Sequence, residues 1–295
     1  MRFLSRLLGL GLIVAGVLWF LARPNPMTEA DVAGLSGDAV AGEAVFWAAG
    51  CASCHMAADA KDAAQLVLVG GQRFPSDFGT FIAPNISQDP THGIGAWSLL
   101  DLANALKRGV SPEGEHLFPA LPYASYAKME MQDVADLYAF LKTLPADPTP
   151  SASHELTFPF SMREGVGVWK LLFLREDWVI ADNLTPTAAR GRYIAEALAH
   201  CGECHTPRNL LGGMKTSAWL SGAPNPSGEG RIPNITPAKL TWSAEEILNY
   251  FTTGFTPEFD VVGGHMAHVV ENLARLPEAD RKAVVEYLAV VPRVE

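Results

Sequence analysis

Apolar positions along this chain form one long unbroken run and then a series of shorter helical stripes. The run extends from Leu7 to Ala22, and Phe3 and Leu4 lengthen it to nearly a bilayer span despite Ser5 and Arg6. Arg2 and Arg6 place positive charge ahead of it, which keeps the N-terminus cytoplasmic and sends the remainder across the membrane. A cleaved signal peptide opens the same way but ends in small residues, whereas this run ends Trp19-Phe20-Leu21-Ala22-Arg23-Pro24. The expectation is therefore a retained N-terminal transmembrane helix, a signal-anchor over residues 1–27, rather than a cleaved leader. No cysteine lies near it to carry a lipid.

Beyond residue 27 the pattern takes the period of amphipathic helices. Val40, Ala44, Val45 and Phe46 share a face in GDAVAGEAVFWAAG, as Tyr193, Ile194, Ala197 and Leu198 do in TAARGRYIAEALAH. MQDVADLYAFLKTL and PEADRKAVVEYLAVV carry two more helices. Between the halves, Pro145, Pro148 and Pro150 make a stiff, extended linker. VGVWKLLFL follows it, too short to span a membrane and interrupted by Lys170. Its reading is an interdomain helix packing both halves together, with a partner-docking or membrane-surface patch as the alternative. The predicted fold class is all-α.

The stripes belong to an internal repeat. From His55 to Asn85 of APNIS is 30 residues, and from His205 to Asn234 of IPNIT is 29. The pairs Trp97-Ser98 and Trp242-Ser243 then open a helix in each copy, with the serine as N-cap and Glu246 completing a capping box on Ser243. Trp97 to Gly109 and Trp242 to Gly254 are both 12 residues, as are Gly109 to Leu121 and Gly254 to Met266. The copies differ mainly by four extra residues in the loop THGIGAW.

All four cysteines sit at matching places in the repeat, in Cys51-Ala52-Ser53-Cys54-His55 and Cys201-Gly202-Glu203-Cys204-His205. C-x-x-C-H lets two thiols add to the vinyl groups of one haem while the adjacent histidine reaches its iron. A shared zinc site would have to join pairs 150 residues apart, and a redox dithiol needs a βαβ context that is not visible. Two covalently attached haem c groups follow, with His55 and His205 as iron ligands. Met266, in a loop flanked by Gly263 and Gly264, supplies a thioether for the second iron; its structural alternative is a core gap-filler. In the first copy that slot holds Leu121, which cannot bind iron. Met129 is the leading substitute, against a role as a hydrophobic staple. His116 is next, an open iron follows, and Met131 in the first helical turn comes last.

Composition narrows the partners. At 295 residues the chain suits two ordinary domains, and 48% hydrophobic content fits a packed protein. A net charge of -10, without a basic stripe, argues against nucleic acid. The same acidity suits either steering of a basic protein partner or simple solubility. No nucleophile triad, phosphate loop or acid/base carboxylate pair is visible.

GIGAWSLLDLANALKRGV, GEHLFPALPY, DVADLYAFLKTLP, CGECHTPRNLLGG and PNIT resemble the multihaem cytochrome c family, which includes cytochrome subunits of membrane-bound bacterial alcohol and gluconate dehydrogenases. LSGAPNPSGEGRIPNITP and FTTGFTPEFDVVGGHM resemble a two-haem branch of it. The likeness runs from about residue 38 to the end, and departs where family members read P-A-M-P-Y and this chain has Leu121. It implies two tandem class-I-like cytochrome c domains, over 28–146 and 186–295, joined by a linker and interdomain helix over 147–185. It also implies haem-pocket roles for Asn85, Asn234, Trp97, Trp242 and Arg208, whose structural alternatives are core packing for the tryptophans and a surface charge for the arginine. The function implied is one-electron transfer from a periplasmic dehydrogenase or quinol-oxidising complex to an oxidase or soluble cytochrome, with the chain anchored in the bacterial inner membrane and facing the periplasm. The alternative is a haem enzyme, peroxidase-like or oxidising an inorganic sulfur compound, with a reactive first haem and a relay second haem.

Overall fold

The computed structural model describes residues 2–181, 183–226, 228 and 230–295. A long first helix, α1 (Arg2–Leu21), precedes the short α2 (Glu29–Val32), then α3 (Ala39–Ala48) and the single turn α4 (Cys51–His55). A hairpin of β1 (Arg73–Ser76) and β2 (Gly79–Ile82) leads to α5 (Leu99–Ala103), α6 (Tyr123–Tyr126) and α7 (Met131–Leu141). Strand β3 (Glu155–Leu156) and helix α8 (Arg163–Phe173) join the halves. The second half runs α9 (Pro186–Arg192), α10 (Gly202–His205), β4 (Ala223–Pro224), β5 (Arg231–Ile232), α11 (Ala244–Thr253), α12 (His265–Ala274) and α13 (Glu278–Val290).

Side-chain caps start the helices that carry the repeat. Asp38 accepts from the Val40 N–H to open α3, and Thr185 accepts from the Ala188 N–H, with Pro186 at the first helical position of α9. Ser98 with Asp101 and Ser243 with Glu246 form capping boxes on α5 and α11. In each half the helix entering C-x-x-C-H crosses the closing helix at a glycine. A Cβ on Gly42 would overlap the Asp136 carbonyl of α7, and one on Gly191 would overlap the Ala283 carbonyl of α13. Around these crossings Phe46, Leu137, Ile194, Leu198 and Tyr287 are almost wholly buried in one apolar core continuous across both halves. Each such side chain contributes about 1.5–3 kcal/mol by leaving water.

The expected all-α class with a transmembrane helix needs correction on two points. First, strands are present. The segment RFPSDFGTFI forms an antiparallel hairpin with Arg73 opposite Ile82, and Glu155 of the linker pairs with Thr80 as a third strand. Aromatic and β-branched residues around a tight turn favour that pairing, and an extended proline-rich linker readily adds an edge strand. A second, two-stranded sheet pairs Ala223 with Ile232.

Second, among the described residues no helix is long and apolar enough to cross a membrane. α1 forms, but Arg2, Ser5 and Arg6 occupy its first turns. The apolar stretch left, Leu7 to Leu21, rises about 22 Å at 1.5 Å per residue, short of a hydrocarbon layer of about 30 Å. The transmembrane segment and the membrane as a partner through it are thus not supported. The chain leaving α1 turns onto the globular part, where the Ala22 carbonyl meets His116 Nε2 at 2.8 Å and Met27 N donates to Asn104 Oδ1 at 2.6 Å.

Helix α8 touches both halves. Lys170 Nζ donates to the carbonyls of Arg108 and Gly109, at 2.8 and 2.6 Å, while Trp169 Nε1 donates to the Leu211 carbonyl at 3.0 Å.

Candidate haem centres

Both C-x-x-C-H segments are single helical turns, and each fixes its histidine the same way. His55 Nδ1 lies 2.8 Å from the Pro84 carbonyl, and His205 Nδ1 lies 2.8 Å from the Pro233 carbonyl. A carbonyl only accepts, so Nδ1 carries the proton and Nε2 keeps the lone pair with which a metal is bound. Burial holds both imidazoles below the usual histidine range, against the opposing pull of these bonds, which favours the neutral, ligating form. Each turn is also tied down behind the histidine: Gly70 N donates to the His55 carbonyl and Gly222 N to the His205 carbonyl, both at 2.7 Å. Gln72 Nε2 adds bonds to the carbonyls of Ser53 and Met56, at 3.0 and 2.9 Å.

None of the four cysteines is in a disulfide. Burial pushes Cys51 and Cys201 up to about 12 and Cys54 up to about 11, and it also raises Cys204. Neutral thiols, partly buried or, at Cys204, exposed, beside an oriented imidazole suit addition to haem vinyl groups. The wholly buried Tyr123 hydroxyl has no hydrogen-bond partner among the described residues.

Among the sixth-ligand candidates, Met129 is 2% exposed and belongs to the same apolar cluster as Ala52 and Met56, within and just after the first turn. Its backbone is fixed: Lys107 Nζ donates to the carbonyls of Met129 and Ala127, at 2.5 and 2.7 Å, and Met129 N donates to the Tyr126 carbonyl. Leu121 is partly buried against the same core. Both ring nitrogens of His116 are engaged, Nε2 with Ala22 O and Nδ1 with Lys170 Nζ at 3.0 Å. Met131 is the first residue of α7 and half-buried. Met266 packs partly buried against the core, but it stands in the first turn of α12, a helix where a loop was expected.

The remaining expected pocket residues are committed to the chain itself. Asn85 Nδ2 donates to the carbonyls of Asp147 and Thr149, both at 2.8 Å, while its Oδ1 accepts from Ser87 N. Asn234 does the same with Val294 O and Thr236 N. The Trp97 carbonyl takes the Tyr138 hydroxyl, Trp242 meets Tyr250 edge-on at 5.3 Å, and both indoles pack against the core. Arg208 pairs with Glu203 and donates to the Gly212 carbonyl. The prolines preceding the two asparagines, which motif reading passed over, hold the histidines through backbone atoms.

The two turns face each other across the halves. Asn272 Nδ2 of α12 donates to Ser53 Oγ at 2.9 Å, inside the first motif. The Tyr126 hydroxyl donates to the Ala49 carbonyl at 2.7 Å, and its ring meets that of His200, which precedes Cys201, at 5.7 Å.

The Cytochrome c family matches residues 39–145. A diheme cytochrome c-type protein of Cereibacter sphaeroides is 53% identical over 294 residues, covering 100% of this chain and 99% of that protein. The chain belongs to the multihaem cytochrome c family. The fructose dehydrogenase cytochrome subunit of Gluconobacter japonicus is 39% identical over 253 residues, 83% of this chain and 51% of that one. The gluconate 2-dehydrogenase cytochrome c subunit of Pantoea cypripedii is 30% identical over 260 residues, 84% of this chain and 58% of that one. The chain spans about half the length of these two dehydrogenase subunits. Like its dihaem relative, this member of the family carries two covalently attached haem c groups and is an electron-transfer cytochrome.

Proposed function

We propose that the chain passes single electrons between a dehydrogenase and a downstream cytochrome or oxidase, in an exported compartment such as the bacterial periplasm. The observation that carries this reading is the repeated histidine geometry: two C-x-x-C-H turns, each with Nδ1 held by a proline carbonyl and Nε2 left for iron. The first haem is assigned to Cys51, Cys54 and His55 within a module over 28–146, with Met129 as sixth ligand. The second is assigned to Cys201, Cys204 and His205 within 186–295, with Met266. Residues 147–185 join the two modules.

Bound haem supplies one-electron exchange between ferrous and ferric iron. The protein's share is to orient the imidazoles, keep them neutral, exclude water with the core around Met129, and set the charge near each iron. A donor of the sugar- or alcohol-oxidising dehydrogenase class is supported by relatives that are cytochrome subunits of fructose, alcohol and gluconate dehydrogenases.

The test is a haem count followed by reduction. A pyridine haemochrome assay should give two haem c per chain, with His55→Ala and His205→Ala each altering a different haem. A sugar or alcohol dehydrogenase should reduce the holoprotein in the presence of its substrate. A ferric protein with one high-spin haem that rapidly binds carbon monoxide once reduced, and turns over peroxide, would overturn the carrier assignment.

A further inference from the structure

Where the first half packs apolar side chains, the second half carries a buried polar relay. Phe46 stands five residues before Cys51, and its ring lies 5.1 Å from that of Phe140. Five residues before Cys201 stands Glu196, 1% exposed, with the Tyr287 hydroxyl donating to its Oε1 at 2.7 Å. Tyr287 takes the place in α13 that Phe140 has in α7, each lying over the glycine of its helix crossing, Gly191 or Gly42. Trp219 Nε1 in turn donates to the Tyr287 hydroxyl at 2.9 Å. The Trp219 ring covers Gly202, inside C-G-E-C-H, so closely that no Cβ would fit; the first half has Ala52 there. The relay therefore ends on the haem-attachment turn.

The backbone is altered to admit this carboxylate. From Gly191 to Cys201 is 10 residues, against 9 from Gly42 to Cys51, and the segment Tyr193–Leu198 is wound as a π-helix. Such an insertion re-aims one side chain and is frequent at functional sites. Val179 N donates to Glu196 Oε2 at 2.7 Å and Ile180 N to Oε1 at 3.2 Å. With Tyr287, all three donors are neutral, and no ion pair among the described residues includes Glu196. Nearby Arg192 is committed to the Ile180 and Ala181 carbonyls, and the Lys128 ammonium, which feels the Glu196 charge, donates to the Ala124 carbonyl. That charge also reaches Cys201, whose thiol is raised by burial first, then by Cys204, with Glu196 acting in the same direction.

We propose that Glu196 sets the reduction potential of the second haem, placing a buried carboxylate that makes no ion pair beside its attachment turn and so favouring ferric over ferrous iron. A buried charge is screened far less than a surface one, and the ferric centre carries one more positive charge than the ferrous. Tyr287 and Trp219 are positioning residues that hold the carboxylate. The inference rests on the assignment of one haem to Cys201 and Cys204.

The test is a spectroelectrochemical titration of the full-length holoprotein that resolves both haems, with thermal stability measured alongside. Glu196→Gln should move the second haem's midpoint upward and leave the first in place; Glu196→Asp, which keeps the charge, should restore it toward the wild-type value. If Glu196→Gln does not accumulate, the double variant Glu196→Met/Tyr287→Phe gives the second half an apolar pair like Phe46 and Phe140, removing the charge at the cost of the bonds from Val179 N, Ile180 N and Trp219 Nε1. A second haem whose midpoint is unchanged in the neutral variants, whatever happens to stability, reduces Glu196 to a clip for residues 179–180 and overturns the proposal. A count of one haem per chain, or a shifted haem that survives Cys201→Ala intact, would instead bring down the haem assignment and this inference with it.

Discussion

Replacing Met129 by leucine tests the ligation of the first haem with little risk to the fold. The side chain is 2% exposed, and leucine nearly conserves its volume, so the packing cost should stay below about 1.5 kcal/mol. The loop has independent support: Lys107 Nζ grips the carbonyls of Ala127 and Met129, and Met129 N bonds to Tyr126. None of those three bonds uses the Met129 side chain, so all survive the substitution, and a spectral change would report the lost sulfur rather than a moved loop. The expected outcome is a ferric spectrum in which one haem turns high-spin and, once reduced, binds carbon monoxide, while the second stays low-spin as an internal control. Met266→Leu should give the complementary change at the other haem. His116→Ala should leave both spectra unaltered, since its ring nitrogens are already held by Ala22 and Lys170. Two low-spin, inert haems in Met129→Leu would refute the assignment, and a change in His116→Ala would redirect it.

Three further outcomes follow from the same geometry. Gly191→Ala would drive a Cβ into the Ala283 carbonyl and should cost about 1–3 kcal/mol by overpacking, whereas Gly165→Ala on α8, with open space around it, should gain about 0.5–1 kcal/mol; chemical denaturation of both variants checks the contrast. Asn85→Ala should lose about 1–3 kcal/mol by stranding the carbonyls of Asp147 and Thr149, yet leave the haem spectrum as it was, which separates a structural clamp from a haem contact. Burial lowers Lys170 from 10.5 to about 7, so the unfolded chain binds the extra proton between those values. Stability should accordingly rise with pH across that window and fall as pH drops toward 7, and denaturation midpoints measured from pH 6 to 11 should lose that slope in Lys170→Met.

The parts of the fold legible in the sequence are those fixed by side-chain chemistry along one element. Ser98 and Ser243 announce their helices because a hydroxyl at that position satisfies free N–H groups, and both cap as read. The helical stripes through Phe46 and through Ile194 reach the core because a periodic apolar face has to be covered. What stayed hidden depends on partners distant in sequence or on backbone atoms. RFPSDFGTFI forms a hairpin whose third strand, Glu155 and Leu156, comes from the linker more than 70 residues on. The α12 helix begins directly after two glycines that read as a loop, and it settles against α3 and α4 of the first half. The contacts to His55 and His205 come from carbonyl oxygens, which no residue type announces, so motif reading fell on Asn85 and Asn234 one position away.

The repeat suggests two separable haem modules, and the structure argues against treating them so. Besides the Asn272–Ser53 bond, Arg275 of the second half lies over the Trp47 ring at 3.9 Å and donates to Gln65 Oε1 at 2.9 Å. In the other direction, the Tyr193 hydroxyl bonds to Asp133 and accepts from Glu130 N. These links run beside the two attachment turns: Asn272 bonds Ser53 inside the first, and the Tyr126 ring meets His200 next to the second. A charge gained at one site in such an arrangement is felt at the other, because the intervening apolar core screens it weakly. Nearly identical sites would then hinder each other's reduction. The departures from symmetry, Leu121 where Met266 stands and Glu196 where Phe46 stands, fall where they can move the two potentials apart and give the pair a direction.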